Sequence, residues 1–506
     1  FANQTTNFAK SSDKKYRTMR LAMSVTGEYT QYFGGTVANA LTAINATLTR
    51  VNGVFEKDFA LHLNLQNYPN IIYTNASTDP YSPAAQMNNW NLELQQTLTA
   101  NVGNANYDIG HLFGASGGGG NAGCIGCVCI DPTSSTSQQK GSGYTSPADG
   151  IPQGDNFDID YVAHEMGHQL GANHTFSHGL ESAGVNVEPG SGSTIMGYAG
   201  ITGANTDVQA HSDPYFHAVS ITQVQNNLTS KTCDVETPVT NNPPVIAPLS
   251  TFNIPKGTAF VLTASATDPE NDPMTYCWEE VDNASVTINK NNLGTTASGA
   301  SFRSFKPTTS PTRYFPKLSS VLAGVLNNSN NGWESVSTVA RTTNFRVTVR
   351  DNNPVPTQQQ TQFANQQIIV GNDGPFKVTT TTAYNNGATN VTWDVVNTTA
   401  APYSVANVKI DYTTDNGVTW TVAAASTPND GSESLNLTGL TLGGTVKIRV
   451  SSIGNVFYAI GSSTVASLLT CTGAAPTGIV VSAITQTTAT VTWTATANST
   501  YIVRYR

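Results

Sequence analysis

The chain has 506 residues, 38% of them hydrophobic and 8% aromatic, enough to build real cores and too long for one ordinary domain, so three or four domains are expected. Only 11% of residues are charged, against roughly 25% in an average soluble domain, and 24 Lys and Arg face 33 Asp and Glu for a net charge of −9. An acidic chain without basic runs excludes nucleic acid as a main partner, and no apolar stretch approaches the ~20 residues that a membrane-spanning helix needs.

Up to about residue 235, strand and helix patterns are mixed. Tyr16 to Val25 reads as a strand. In "TVANALTAINATLTRVNGVF", Val37, Leu41, Ile44, Leu48 and Val51 recur every three or four residues, as on the apolar face of a helix. "LHLNLQ" alternates as a strand, "MNNWNLELQQTLTANV" reads as a second helix, and "YDIGHLFG" reads as a strand running into the Gly-rich "GASGGGGNAG". In "GDNFDIDYVAHEMGHQLG", Ile159, Val162, Ala163, Met166 and Leu170 stand at helical spacing. Asp155 and Asn156 are the candidate N-caps, and the acidic Asp155, Asp158 and Asp160 suit the positive end of the helix dipole, with an ion site as the second reading.

After Cys233 the texture changes. "DVETPVTNNPPVIAP" reads as a Pro- and Asn-rich linker, placed at 236–243. The remainder is rich in Thr and Val, with short strands separated by Gly, Asn and Pro turns, the pattern of β-sandwiches. Strand spacing places one sandwich at 244–372 and a second at 373–470. Residues 471–506 resemble the opening strands of a fibronectin type III domain with Trp493 in its core, and such a sandwich needs about 90–100 residues, so the sequence is expected to stop inside it.

The chemistry concentrates in "HEMGHQLGANH". On a helix His164 and His168 lie one turn apart on one face, so two imidazoles can reach one ion. Glu165 stands beside them, placed to act on a metal-bound water without being a ligand. Gly171 permits the backbone reversal that brings in His174. Three neutral nitrogen ligands leave a fourth tetrahedral position for water, as a catalytic zinc site requires, and one zinc per chain is expected. About 20 residues on, "GSTIMGYAG" supplies Met196 and Tyr198. His111, His178, His211 and His217 are read as structural or surface residues, because the zinc set is already complete.

This HExxHxxGxxH pattern followed by Met196 resembles the metzincin clan of zinc endopeptidases. Together with "RLAMSVTGEYTQYFGGTVANALTAINATLTRVNGVFEKDFA" and "PGSGSTIMGYAG" it resembles the bacterial reprolysin-like, adamalysin-related branch over residues 1–235. The resemblance implies a two-part α/β (α+β) catalytic domain, a twisted sheet with helices above and a smaller lower part entered after Gly171, ahead of all-β immunoglobulin-like sandwiches. It implies that Met196 forms an apolar floor, a Met-turn, and that protein or peptide substrates lie extended along the sheet edge. In the resulting mechanism Glu165 acts as general base on the zinc-activated water. Two departures stand out. Adamalysins carry Asp after the third histidine, where this chain has Thr175. Tyr198, two residues past Met196, resembles the Met-x-Tyr of astacins and serralysins, in which the tyrosine can join the zinc ligands; plain packing is the alternative.

Cys124, Cys127 and Cys129 crowd into "CIGCVC", while Cys233, Cys277 and Cys471 are far apart. No second pair stands at zinc-ribbon spacing, and disulfides in an oxidising compartment fit better. Cys233 is expected to pair with one of the CIGCVC trio, Cys129 foremost, with Cys124 and Cys127 then closing a small local loop; Cys277 and Cys471 stay free unless their domains pack closely, and six reduced, buried thiols are the alternative. "ATDPENDPMTY" and "VTVRDNNP" resemble the ends of cadherin- or PKD-like strands. There Asp268, Glu270, Asp272 and Asp351 could gather around calcium, or the Asp-Pro and Asn-Pro pairs could simply make turns. The chain begins at Phe1 without a leader, which fits a mature form that has lost a signal or pro-segment. Asn-x-Ser/Thr triplets are frequent, and one, Asn173-His174-Thr175, lies inside the zinc motif, where a glycan would obstruct the site; that fits a bacterial exporter. The expectation is a secreted or cell-surface bacterial zinc endopeptidase, most simply monomeric. The rival is an adhesin or matrix-binding protein with an inactive peptidase domain.

Overall fold

The computed structural model describes residues 13–468, 476–495, 501 and 503. Its first layer is a parallel sheet. β1 (Lys15–Val25) is followed by a short helix α1 (Gly27–Tyr32) and by α2 (Val37–Phe59), which carries the chain back to β2 (Leu61–Leu65). The Thr36 hydroxyl accepts from the Asn39 N–H and caps α2. Its face Ile44, Leu48, Val51, Phe55 and Phe59 is buried on the sheet, at the spacing read from sequence; Val37 and Leu41 are only partly covered. α3 (Trp90–Asn101) covers the sheet around Trp90, Leu94 and Leu98. β3 (Ile109–Phe113), β4 (Gly119–Asn121) and β5 (Gly143–Ser146) complete the order β2-β1-β3-β5-β4, with β4 antiparallel at the edge.

The motif helix α4 (His164–Leu170) continues directly from a π-helical stretch, Asn156–Ala163. Neither expected N-cap acts as one. Asp155 has helical backbone angles and pairs with Arg50, while the Asn156 amide donates to Asp149. The acidic trio does not form an ion site either: Asp158 accepts from Thr47, and Asp160 from Ser212 N–H and His211. From 171 to 217 the chain makes only turns and one isolated bridge, Phe176 to Glu188. Then α5 (Ala218–Leu228), absent from the sequence reading, packs Ile221, Val224 and Leu228 into the main core.

The expected linker at 236–243 is partly a strand. β3 pairs only with Leu21–Val25 of β1, which leaves the first half of that edge with unpaired backbone groups. β6 (Val235–Pro238) fills it antiparallel, Lys15 opposite Pro238 and Thr18 opposite Val235.

The β-rich remainder opens with β7 (Val245–Ile246), β8 (Phe252–Ile254), β9 (Ala259–Thr263), β10 (Ala266–Thr267), β11 (Met274–Glu280), β12 (Thr312–Phe315), β13 (Arg341–Asp351) and β14 (Thr361–Val370). One sheet runs β11-β13-β14-β8. The other joins β12 and β9 to the strand Phe457–Ala466 and onward to strands at 445–452, 407–413 and 421–428. No break in packing falls at 372–373: the sheet crosses that point, and one core cluster extends from Ile254 to Val465. Strands Thr477–Ser482 and Thr490–Thr494 form a hairpin in which Trp493 is half-buried and meets Tyr501.

Candidate metal centre and active site

The motif histidines converge because helix and turn geometry leave them nowhere else to point. His164 and His168 project from one face of α4, with ring centroids 4.8 Å apart. Gly171 ends the helix at φ +118°, and a Cβ there would stand 2.9 Å from the Asn227 side chain. The chain therefore reverses tightly and returns His174 to the same point, its Nε2 3.0 Å from that of His168. Among the described residues these three histidines form one of two groups whose ligand atoms all lie within 4.8 Å of each other.

The hydrogen bonds on the far side of each ring decide what occupies that point. His164 Nδ1 lies 2.6 Å from the Ile195 carbonyl and His168 Nδ1 2.7 Å from the Ala172 carbonyl. His174 Nδ1 lies 2.9 Å from Glu181 Oε1. Carbonyls and carboxylates only accept, so each Nδ1 carries the proton and each Nε2 of a neutral ring is a bare lone pair. Burial, with the neighbouring rings adding, holds His164 far below the usual imidazole range and His168 at about 3; burial lowers His174 as well. Neutral lone pairs facing one another at hydrogen-bond distance repel unless a cation sits between them. Three such nitrogens with anchored backs are a zinc donor set.

Glu165 is buried beside this group. Its carboxylate accepts from the Ala122 N–H, and burial pushes it up to about 8. It lies against edge strand β4 so closely that a Cβ on Gly120 would stand 2.5 Å from Glu165 Cγ. Met196, fully buried, lies in a turn closed by the Gly197 N–H on the Thr194 carbonyl, and its sulfur would be 2.9 Å from a Cβ on Gly167. Tyr198 packs edge-on to His174 at 4.5 Å and lies 5.6 Å from His164; burial, with Glu165 and Glu181 adding, pushes its phenol up to about 12.

A residue that the sequence reading passed over joins the two sides of the site. Glu188, buried, accepts from Thr175 Oγ1 (2.6 Å), Thr194 Oγ1 (2.5 Å) and the Ser193 N–H (3.0 Å). It clamps the residue after the third histidine to the turn carrying Met196, so a carboxylate stands next to Thr175 although Thr175 itself has none.

Residues 15–228 match the family model described as metallo-peptidase family M12B, reprolysin-like. The match supports a reprolysin-like metallopeptidase domain over this segment. Its three-histidine group fits the zinc of that family, and a β-rich region follows it. No curated protein matches the chain. Among solved structures, it is similar to a nucleoside hydrolase-related hypothetical protein from Saccharophagus degradans associated with carbohydrate metabolism, at 17% identity over 26% of each chain and a TM-score of 0.17. It is also similar to the FN1–FN3 domains of chicken CNTN1, at 12% identity over 51% of this chain and 77% of that one, TM-score 0.18. A third is the N-terminal four Ig domains of Dscam1 isoform 1.9, at 10% identity over 48% and 52%, TM-score 0.14. The chain thus spans about a quarter of the first of these, and such scores carry no argument about fold.

The other sequence candidates have separate fates. His111 is buried between Gln169 and Thr145, His211 pairs with Asp160, His217 caps α5, and His178 packs on Phe176. Disulfides join Cys124 to Cys127 and Cys129 to Cys233, the latter with Cα atoms 5.6 Å apart across a sequence separation of 104. Cys277 is free and buried, and Cys471 lies outside the described residues. Asp268, Asp272 and Asp351 form the second convergent group, whereas Glu270 is exposed and accepts from the Asn242 amide instead.

Proposed function

We propose that the chain is a secreted bacterial zinc endopeptidase that hydrolyses protein substrates, with Glu165 as general base. The observation that carries this reading is the pairing of a proton-anchored three-histidine group with a buried carboxylate outside that group which touches the sheet edge. His164, His168 and His174 would hold one zinc, which supplies an acidified water and a Lewis acid for the scissile carbonyl. Glu165 takes the proton of the attacking water and delivers it to the leaving amine; a carboxyl raised by burial is suited to both directions of transfer. The Tyr198 hydroxyl supports the oxyanion, and Met196 floors the site as the Met-turn. The outer edge of β4, unpaired among the described strands, would receive the extended substrate backbone beside Glu165. The disulfides agree with an extracellular location.

The test is zinc content and turnover measured on the same preparations. Glu165→Ala keeps one zinc per chain and loses on the order of 10²–10⁴ in kcat. His168→Ala loses the metal, and Tyr198→Phe costs about 10–10²-fold in kcat. Wild-type kcat in Glu165→Ala overturns the mechanism, and a chain that binds zinc but cleaves no peptide in a mixed library is a binding protein.

A further inference from the structure

We propose that Asp268, Asp272 and Asp351, together with Asn241, bind a calcium ion at the junction between the peptidase domain and the β-rich region. Oxygens of the three carboxylates lie within 4.8 Å of one another. None of the three forms an ion pair with Lys or Arg among the described residues. Asp351 is fully buried, and burial, with Asp268 and Asp272 adding, pushes its carboxyl up to about 7.

Two buried oxygens there lack any partner. Asp268, 8% exposed, takes the Glu270 and Asp272 N–H groups on Oδ1 at 3.0 and 2.9 Å, which leaves its enclosed Oδ2 with none. Asn241, 5% exposed, donates its amide to Asp351 Oδ2 (2.9 Å) and to the Gln358 carbonyl (3.1 Å), and its own Oδ1 is enclosed and unpartnered. Burying an acceptor without a donor costs about 1–3 kcal/mol, more for a charged group. The donors around the cluster reach its other oxygens, Asn353 serving Asp272 Oδ2 and the Gln360 N–H serving Asp351 Oδ1. What remains are hard, anionic or carbonyl-type oxygens, the donor set of calcium.

The position gives the ion a task. Asn241 follows β6, which is a strand of the peptidase sheet; Asp268 follows β10, which pairs with β7; Asp351 ends β13. One ion therefore links the connecting segment to two strand ends of the region it enters, and fixes how the second region leaves the first.

The experiment uses the full chain, zinc-replete and freed of calcium, titrated with Ca²⁺ by calorimetry and followed by thermal unfolding. The expected result is one Ca²⁺ per chain with Kd between about 10⁻⁶ and 10⁻³ M, a rise in Tm of several degrees, and slower proteolytic nicking at 239–246. Asp268→Asn and Asp351→Asn weaken binding at least tenfold. Should either fail to fold, Asp272→Asn, at a partly buried position, gives the same answer on a folded protein. His168→Ala leaves the calcium response intact, which separates this site from the catalytic one. Three results overturn the proposal: no heat and no Tm shift at 10 mM Ca²⁺, an unchanged isotherm in Asp272→Asn, or an equal response to Mg²⁺.

Discussion

Gly120 lies where the edge strand passes over Glu165, and its missing side chain is what lets the two meet. A methyl group there would sit 2.6 Å from Glu165 Oε1, inside van der Waals contact, while the Ala122 N–H, just past the strand's end, still holds the carboxylate. Either the carboxylate swings away or the strand lifts, and a misplacement of about 1 Å can cost 10²-fold. Gly120→Ala is therefore expected to lower kcat about 10–10²-fold with zinc content unchanged, since the three atoms nearest to the added methyl all belong to Glu165. Gly179→Ala, where a Cβ meets nothing within 4 Å, serves as the neutral comparison. Equal kcat values for the two variants would remove Gly120 from the site. The three histidines and Glu165 were readable because HExxH spacing encodes a helix face directly. Glu181, Glu188 and the carbonyls of Ala172 and Ile195 were not. Every residue has a carbonyl, and no local pattern announces which one a returning loop will present to a ring nitrogen.

At the scale of elements, β3 and α4 are tied by one buried polar chain. His111, on β3, sits between Gln169 Oε1 and Thr145 Oγ1, each 2.8 Å from a ring nitrogen, and Gln169 Nε2 donates on to the Gly110 carbonyl. Burial lowers His111 to about 4, against the opposing hydrogen bond from Gln169. Between about 6.5 and 4 the unfolded chain binds a proton there that the folded chain does not. Stability therefore falls as pH drops through that window and levels off below it. At about 1.4 kcal/mol per pH unit, the loss from this group is about 3 kcal/mol. Urea midpoints from pH 7 to 4 are expected to fall less steeply in His111→Gln than in wild type; parallel curves would contradict the assignment. Long, periodic elements such as α2 were legible from sequence, and so was the helical run into the motif. Its π-helical opening was not, because the same apolar spacing tolerates an extra residue per turn. β6 escaped for a different reason: its pairing partner is an edge left open 220 residues earlier, which composition cannot reveal.

At the scale of the molecule, the β-rich region is not a string of beads behind the peptidase domain. Phe363 of β14 joins the peptidase core, and the Trp333 indole N–H donates to the Asp207 carbonyl at 3.0 Å. Glu279 accepts from the Ala218 N–H at the start of α5, and the Ser193 hydroxyl, next to the turn holding Met196, donates to the Ser304 carbonyl. One link is ionic and buried. Arg350 Nε donates to Asp58 Oδ1 at 2.7 Å with both side chains about 1% exposed, and Asp58 Oδ2 also receives the Phe216 N–H at 2.7 Å. Desolvating both charges cancels much of their attraction, so the pair is weak evidence of net stabilisation, but removing one partner strands the other in the interior. Asp58→Ala is accordingly expected to destabilise the chain by about 3–5 kcal/mol. Adding Arg350→Met removes the stranded cation and replaces it with an apolar side chain, so the double variant should be more stable than Asp58→Ala alone. Chemical denaturation of the four proteins in this cycle measures the coupling. Strict additivity of the two single losses would mean that the domains are held together elsewhere and that Arg350 and Asp58 are neighbours without energetic consequence.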